Sequence, residues 1–303
     1  MIDLRRLRIL RAVAHHGTVT AAAEALHFTP SAASQQIRQL SRELEVPLLE
    51  PLGRGVRLTP AARSLLEHAD AIQARWERAE IEMRGLEAEP AGPLRVAGFP
   101  VVLTRLLAPM AAALRTAYPR LDVRILESEP GDSLDLLFRG DIDLSIVESA
   151  PSTPGLDDTR FDQAFLFEDP FDLLVARGHR LAERTSVPLA ETARESWVLP
   201  QPGTTCHAHA MTACGAVGFT PQGRHQALEW SSVAALVAHD LGVALIPRSA
   251  DLSPDLPVTR LRLEGSPTPA RSLLTFTRAG ARERPSVAAA VTELERLVPH
   301  MMA

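Results

Sequence analysis

The 303-residue chain has no lysine, only two cysteines and no long apolar run. Its permanent positive charge is carried by arginine alone, which reflects composition more than mechanism. Cys206 and Cys214 are too few to staple a secreted scaffold and fit a reducing compartment. The opening Met1-Ile2-Asp3-Leu4 lacks the apolar core of a signal peptide, and no later stretch approaches the length that crosses a bilayer. A cytoplasmic location without a membrane partner is therefore expected. Catalytic signatures are missing too: there is no G-x-S-x-G elbow, no G-x-G-x-x-G after a strand, no P-loop and no H-E-x-x-H. An enzyme is not expected, nor a cofactor.

The chain is longer than one core usually holds, so a small domain plus a larger one, or two lobes, is expected. The net charge of −5 looks wrong for a nucleic-acid binder until it is divided. Through Arg63 there are nine arginines against five acids, which leaves +4 on the head and −9 on the remainder. Local basicity sets the attraction to phosphate.

The head is organised around Thr18 to Leu44, which reads as a helix-turn-helix. Thr18 can cap an alanine-rich helix from Val19 to Leu26, whose small residues let a second helix approach. Thr29 and Pro30 then mark the next helix start, as N-cap and as a first helical residue that needs no N–H partner. Along that helix Ala33, Ile37, Leu40 and Leu44 share one face and are expected in the core. The other face carries Ser31, Gln35, Arg38 and Arg42, with Ser34 on its flank. Gln can pair with the N6/N7 edge of adenine and Arg with guanine or phosphate, so this is the chemistry of a recognition helix. An ordinary solvated helix face is the alternative reading.

An amphipathic helix, Leu4 to Ala14, supports the pair, and its arginines are candidates for phosphate contact. After the recognition helix, Pro51-Leu52-Gly53-Arg54-Gly55-Val56-Arg57 reads as a hairpin, a wing that sets Arg54 and Arg57 against the DNA backbone or minor groove. Thr59-Pro60 opens a long helix in which Ala62, Leu65, Ala69, Ile72, Trp76, Ala79, Met83 and Leu86 recur at spacings of three and four. Such a seam, about 40 Å long at ~1.5 Å per residue, implies pairing with a second chain through Leu65, Ala69, Ile72, Trp76, Ala79 and Met83. The helix is expected to end near Gly85, with Glu89 to Pro93 as a hinge.

Beyond the hinge, strands alternate with helices. Expected strands are Leu94–Ala97, Leu121–Glu127, Ile142–Val147, Phe171–Ala176, Trp197–Leu199, Val243–Ile246 and Ser272–Thr277. Helices are expected at Val101–Ala117, Ser133–Arg139, Cys206–Val217, Ser231–Ala238 and Ser286–Leu297. The first five elements form βαβαβ, a parallel sheet.

With these pieces in place, the chain resembles the LysR-type transcriptional regulators over essentially its full length. In the head the resemblance rests on Thr18 to Leu26, FTPSAASQQIRQL, Leu48-Leu49 and GRGVRLTPAA. In the remainder it rests on PLRVAG, GDIDLSIVES, FEDPFDLLVARGHRLA and LGVALIP. It implies an α/β protein with an N-terminal winged helix-turn-helix (1–59), a dimerising linker helix (60–88), a hinge (89–93) and a two-lobed effector domain like periplasmic binding proteins. Lobe I would hold 94–164 and 268–303, and lobe II 165–267. The implied partners are double-stranded DNA with a partly palindromic operator, a small-molecule effector, a second chain in a dimer or tetramer, and RNA polymerase. Three positions depart from the family pattern: Pro30 at the start of the recognition helix, Pro51 at the base of the wing and Ala62 after it. The first two remove potential DNA contacts.

The resemblance places crossings between lobes near Asp162 to Phe165 and Pro267 to Ala270, with the effector in the cleft. Open parallel sheets bind ligands beyond the carboxyl ends of their strands, which independently selects Gly98-Phe99-Pro100-Val101, Ser128-Glu129-Pro130, Pro202-Gly203-Thr204-Thr205 and Trp230-Ser231. Thr204 and Thr205 precede a helix, so they either hold a carboxylate or other anion or simply cap that helix. The apolar Phe99-Pro100-Val101 points instead to a less polar or aromatic effector.

Cys206, His207, His209 and Cys214 invite a metal site or a thiol switch like that of the family's peroxide sensors. Histidines two apart point to different sides of a helix, so no metal is expected. A thiol-based redox sensor using Cys206 and Cys214 stays open as an alternative, with Cys206 at a helix N-terminus and Cys214 reading as core. A cytoplasmic small-molecule-binding protein with a degenerate head is the alternative of a different class.

Overall fold

The computed structural model describes residues 4–26, 28–52, 55–84, 89–265 and 268–302. The head begins with α1 (Leu4–His16), α2 (Val19–Ala25) and α3 (Pro30–Leu44). Thr18 caps α2 by accepting from the Ala21 amide at 3.1 Å, and Thr29 caps α3 by accepting from Ala32 at 3.2 Å. Glu45, in the left-handed region with φ 56°, ends α3. Leu10, Ala22, Ala23, Ala33, Ile37 and Leu40 form the core between the three helices. Two strands, β1 (Leu49–Leu52) and β2 (Gly55–Leu58), make the antiparallel wing. Gly53 and Arg54, at its tip, lie outside the described residues.

Thr59 fastens the wing to the next helix. Its hydroxyl donates to the Pro47 carbonyl at 2.7 Å and accepts from the Ala62 amide at 3.1 Å, opening α4 (Pro60–Arg84). The expected seam along α4 is divided. Ala62 and Ala69 are buried and Leu65 partly buried against the head, because the first turns of α4 complete its core. Ala69 is thus unavailable to a second chain, which corrects the sequence reading. Ile72, Trp76 and Met83 are more than half exposed, and Ala79 is intermediate. Gly85 and Leu86 lie outside the described residues.

The remainder is α/β. Strand β3 (Gly92–Gly98) leads into α5 (Pro100–Val102), a π-helical turn (Leu103–Leu107) and α6 (Ala108–Ala117). The single helix expected there is interrupted by the π-helical turn at Leu103–Leu107, just before Pro109, whose missing N–H removes one ladder bond. Then follow β4 (Leu121–Glu127), α7 (Pro130–Arg139), β5 (Leu144–Glu148) and β6 (Phe161–Ala176). After these come β7 (Ser186–Pro188), a 3-10 turn (Leu189–Thr192), β8 (Ser196–Pro200), α8 (Thr205–Ala216), β9 (Gln222–Ala227) and α9 (Trp230–Ala238). The chain finishes with β10 (Ala244–Pro247), β11 (Val258–Glu264), β12 (Ala270–Arg278) and α10 (Pro285–Met302).

Strands β3, β4 and β5 pair in parallel, as the βαβαβ pattern implied. The first half of β6 runs antiparallel to β12, and its second half runs antiparallel to β10 and β11. One strand therefore serves two lobes, changing partners where Pro170 faces Ala270 and Phe171 faces Pro247. That point lies several residues beyond Asp162–Phe165, because those residues still pair with β12. One core cluster joins Leu94, Val96, Leu106, Met110, Leu144 and Leu273 of the first lobe to Val198, Val233 and Ile246 of the second. Another, with Phe171, Leu173, Val187, Trp197 and Leu245, lies within the second lobe.

Candidate nucleic-acid interface and effector cleft

The capped start of α3 turns Ile37 and Leu40 inward and leaves Pro30, Ser31, Gln35, Arg38 and Arg42 exposed, with Ser34 half-buried. Thr29 is occupied as the cap, and its hydroxyl lies 3.2 Å from that of Ser31. The flank of α3 toward α1 is already bonded: Arg6 donates to Gln36 at 3.1 Å and pairs with Glu43, which also accepts from Gln39 at 2.8 Å. Arg6 is therefore a tie between helices, where the sequence had offered the arginines of α1 to phosphate. On the wing Arg57 sits opposite Glu50 and donates to it at 2.7 Å, with its side chain 60% exposed. An exposed pair of this kind is worth little, so Arg57 can exchange Glu50 for a phosphate oxygen.

A second constellation lies where the lobes meet. Glu148 ends β5, the carboxyl end of a parallel strand, and is 2% exposed. Its Oε1 accepts from Nε2 of His209 on α8 at 2.7 Å, across the cleft. Its Oε2 accepts from Arg271 at 3.4 Å. Burial alone would push the Glu148 carboxyl up. The hydrogen bonds from His209 and Thr205 and the charge of Arg271 outweigh burial and hold it below its ordinary value. Arg271, 2% exposed on β12, also donates to Asp169 at 3.0 Å and stacks its guanidinium 5.1 Å from the Phe99 ring. Asp169, on β6, accepts from the Ser249 amide at 3.0 Å and hydroxyl at 2.5 Å. Asp169 and Arg271 face each other where the chain passes between lobes, so the crossing is pinned by a buried ion pair.

Phe99 and Val101 are buried, Pro100 and Ser128 half-buried. Thr204 caps α8, accepting from the His207 amide at 3.2 Å, while Glu148 is held by His209 and Arg271 next to Thr205. The chain's own carboxylate thus occupies the place where the sequence reading allowed an anionic ligand. Pro202, Gly203 and Ser231 are exposed beside this region, and Trp230 packs partly into the adjoining core. Glu129 joins the cluster; burial and the carboxylates of Glu229 and Asp132 push its carboxyl up. Glu148, Asp169 and Arg271 were missed by sequence reasoning, and His209 was weighed only as a metal ligand. Glu148 was findable, because it stands at the carboxyl end of a parallel strand in GDIDLSIVES.

The two cysteines share α8. Burial pushes Cys206 up to about 11 and Cys214 up to about 12, so both are thiols at neutral pH. Eight residues apart on one helix, they stand about 12 Å apart along its axis, against the ~4.4–6.8 Å that a disulfide spans between Cα atoms.

A helix presenting donors outward beside a wing, joined by a long helix to two α/β lobes that meet at a buried polar cluster, defines a helix-turn-helix regulator with a second, ligand-binding type of domain. Residues 4–63 match the bacterial regulatory helix-turn-helix proteins of the lysR family, and residues 87–298 match the LysR substrate binding domain. The chain belongs to the LysR family of DNA-binding transcriptional regulators. Among curated relatives, a probable hydrogen peroxide-inducible genes activator of Streptomyces viridosporus is 30% identical, covering 98% of this chain and 96% of the relative. The transcriptional dual regulator GltC of Bacillus subtilis is 28% identical over 82% of this chain and 81% of its own. The solved structure of full-length CbnR complexed with its target DNA shares the fold, with a TM-score of 0.56 at 23% identity, covering 98% of this chain and 99% of that one.

Proposed function

We propose that the exposed face of α3, through Ser31, Ser34, Gln35, Arg38 and Arg42, reads base edges in the major groove, while Arg57 and Arg54 of the wing hold the backbone or minor groove. The observation that carries this reading is the capped recognition helix, whose donors face solvent while the acid on its flank is held by Arg6. The functional divisions follow the family: a head through residue 59, a linker helix from 60 to 88, a hinge to 93, and two lobes that exchange the chain on β6 and β12. Ile72, Trp76 and Met83 supply a dimer contact, so that two heads meet a partly palindromic operator; tetramers and RNA polymerase are the further assemblies the family implies. The protein acts in the cytoplasm as a regulator without catalysis. No helix among the described residues is long and apolar enough to cross a membrane.

The cleft bounded by Phe99, Pro100, Val101, Ser128, Thr204, Thr205 and Trp230 takes the effector. With Glu148 already on His209 and Arg271 beside Thr205, the favoured effector is an apolar or aromatic molecule without a carboxylate. Such a ligand regulates only by binding one arrangement of lobes and heads better than another. The deciding experiment is selection of genomic fragments bound by the purified protein across a salt series. Enrichment of one partly palindromic site that survives salt sufficient to remove non-specific binding is the expected result. Uniform retention that vanishes with salt would refute sequence-specific recognition.

A further inference from the structure

Helix α7 is buried on two sides. Leu134 and Leu137 enter the lobe core beneath it. From its other side Asp135, Phe138 and Arg139 meet the head. Arg139 Nη1 donates to the backbone carbonyl of Ala25 at 2.6 Å. Ala25 is the last residue of α2, where carbonyls lack partners within the helix, so Arg139 supplies one from another domain. The Arg11 guanidinium of α1 stands 4.4 Å from the centre of the Phe138 ring, and His16 Nε2 lies 3.8 Å from Asp135 Oδ2. A second contact joins the linker helix to the same lobe. Gly280, at φ +80°, comes so close to α4 that a Cβ there would stand 2.5 Å from the Ala74 carbonyl oxygen.

None of these contacts covers the reading face, since Ser31, Gln35, Arg38 and Arg42 remain exposed. At its other end α7 begins from Glu129, in the loop that borders the cleft. Its ten residues span about 15 Å in one rigid piece. Gly140, left-handed at φ 79°, ends the helix directly after Arg139.

We propose that the outer face of α7 is a docking surface for the chain's own DNA-binding head, and that α7 is a strut linking the cleft loop to the α1–α2 pair. A ligand that moves the Ser128–Glu129 loop tilts α7 and turns the head, leaving its reading face open throughout. The device therefore sets head orientation rather than masking DNA contacts.

Hydrogen–deuterium exchange on the full-length protein without DNA tests this. Phe138→Leu keeps apolar volume over the lobe but removes the ring face, and Arg139→Ala removes the donor to Ala25. Each is expected to speed exchange several-fold in the α1–α2 segment, more than a hundred residues away in sequence, while lobe II holds its protection. The reciprocal Arg11→Gln, in the head, is expected to speed exchange in α7. A purely structural role for Phe138 or Arg139 would confine the change to their own lobe, and that result overturns the docking. Should one lobe substitution unfold its domain, the reciprocal variant decides. Ser128→Trp perturbs the cleft end alone; an unchanged α1–α2 segment there overturns the strut. The inference rests on the proposed regulator reading only for its consequence at DNA. Exchange is measured without DNA, so its failure and a failure of operator selection are separate results.

Discussion

Replacing Arg271 by methionine tests the buried network at the crossing between lobes. The substitution keeps much of the side-chain volume and removes the cation that pairs with Asp169 and Glu148, both essentially inaccessible. Two carboxylates would be left in a site closed to water. Removing one partner of a buried ion pair costs about 3–5 kcal/mol, because the remaining charge is uncompensated. For a domain of this size that corresponds to a fall in melting temperature of roughly 6–20 °C. Asp169 keeps its bonds from Ser249 and Glu148 keeps His209, which places the expectation toward the lower end. The assay is thermal and urea unfolding of the full chain, following the effector-domain transition. Adding Asp169→Asn to Arg271→Met removes the orphaned charge and should restore a substantial part of the loss, since whole buried pairs are often replaceable. The deficit should also shrink in acid, where the unpaired carboxylates take up protons. A loss below about 1 kcal/mol, or an additive double mutant, would refute the view that Arg271 is held as a buried counter-ion.

Three further outcomes are expected. Gln35→Ala should relax preference at one position of each half-site at a cost of about 1–3 kcal/mol, whereas Arg57→Ala should weaken all sequences alike and reduce the salt slope by about one. Quantitative binding to a randomised operator separates the two, and uniform loss in both would move the reading face elsewhere. Asp143 and Glu148 are held below their ordinary values by Arg95 and by His209 and Arg271, each against the opposing effect of burial. Their stabilisation is complete above the unfolded carboxylate value of about 4 and is lost as pH falls through the lower folded values; a pH series of unfolding midpoints measures it. Finally, peroxide should form no Cys206–Cys214 disulfide while α8 stays folded, and alkylation of both thiols should be slow at pH 8. Rapid alkylation, or a disulfide found by mass mapping in the folded protein, would restore the redox reading.

Much of the head was legible locally. Thr18, Thr29 and Pro30 announce helix starts through their own backbone and hydroxyl chemistry, and the spacing of Ala33, Ile37 and Leu40 orients α3 without reference to anything distant. Strands of the effector domain were legible where burial makes them apolar, as in β5 and β10. Strand β9 (Gln222–Ala227) was missed because its polar, largely exposed residues become a strand only by pairing with β8. The first half of β6 was missed because Asp162, Gln163, Glu168 and Asp169 interrupt any apolar pattern, and their partners lie more than a hundred residues away. The seam of α4 was read as one surface, although its first turns belong to the head and only later residues face outward.

Sequence by itself determined the winged helix-turn-helix, the donor face of α3 and the alternation of strands and helices, because caps and periodicity act over a few residues. Tertiary structure alone decided that Glu148 meets His209 and Arg271, that Asp169 pins the crossing, and that Arg139 reaches Ala25. Each of those contacts joins residues between about 60 and 125 positions apart, and no local preference of the chain encodes which distant charge will fold against which.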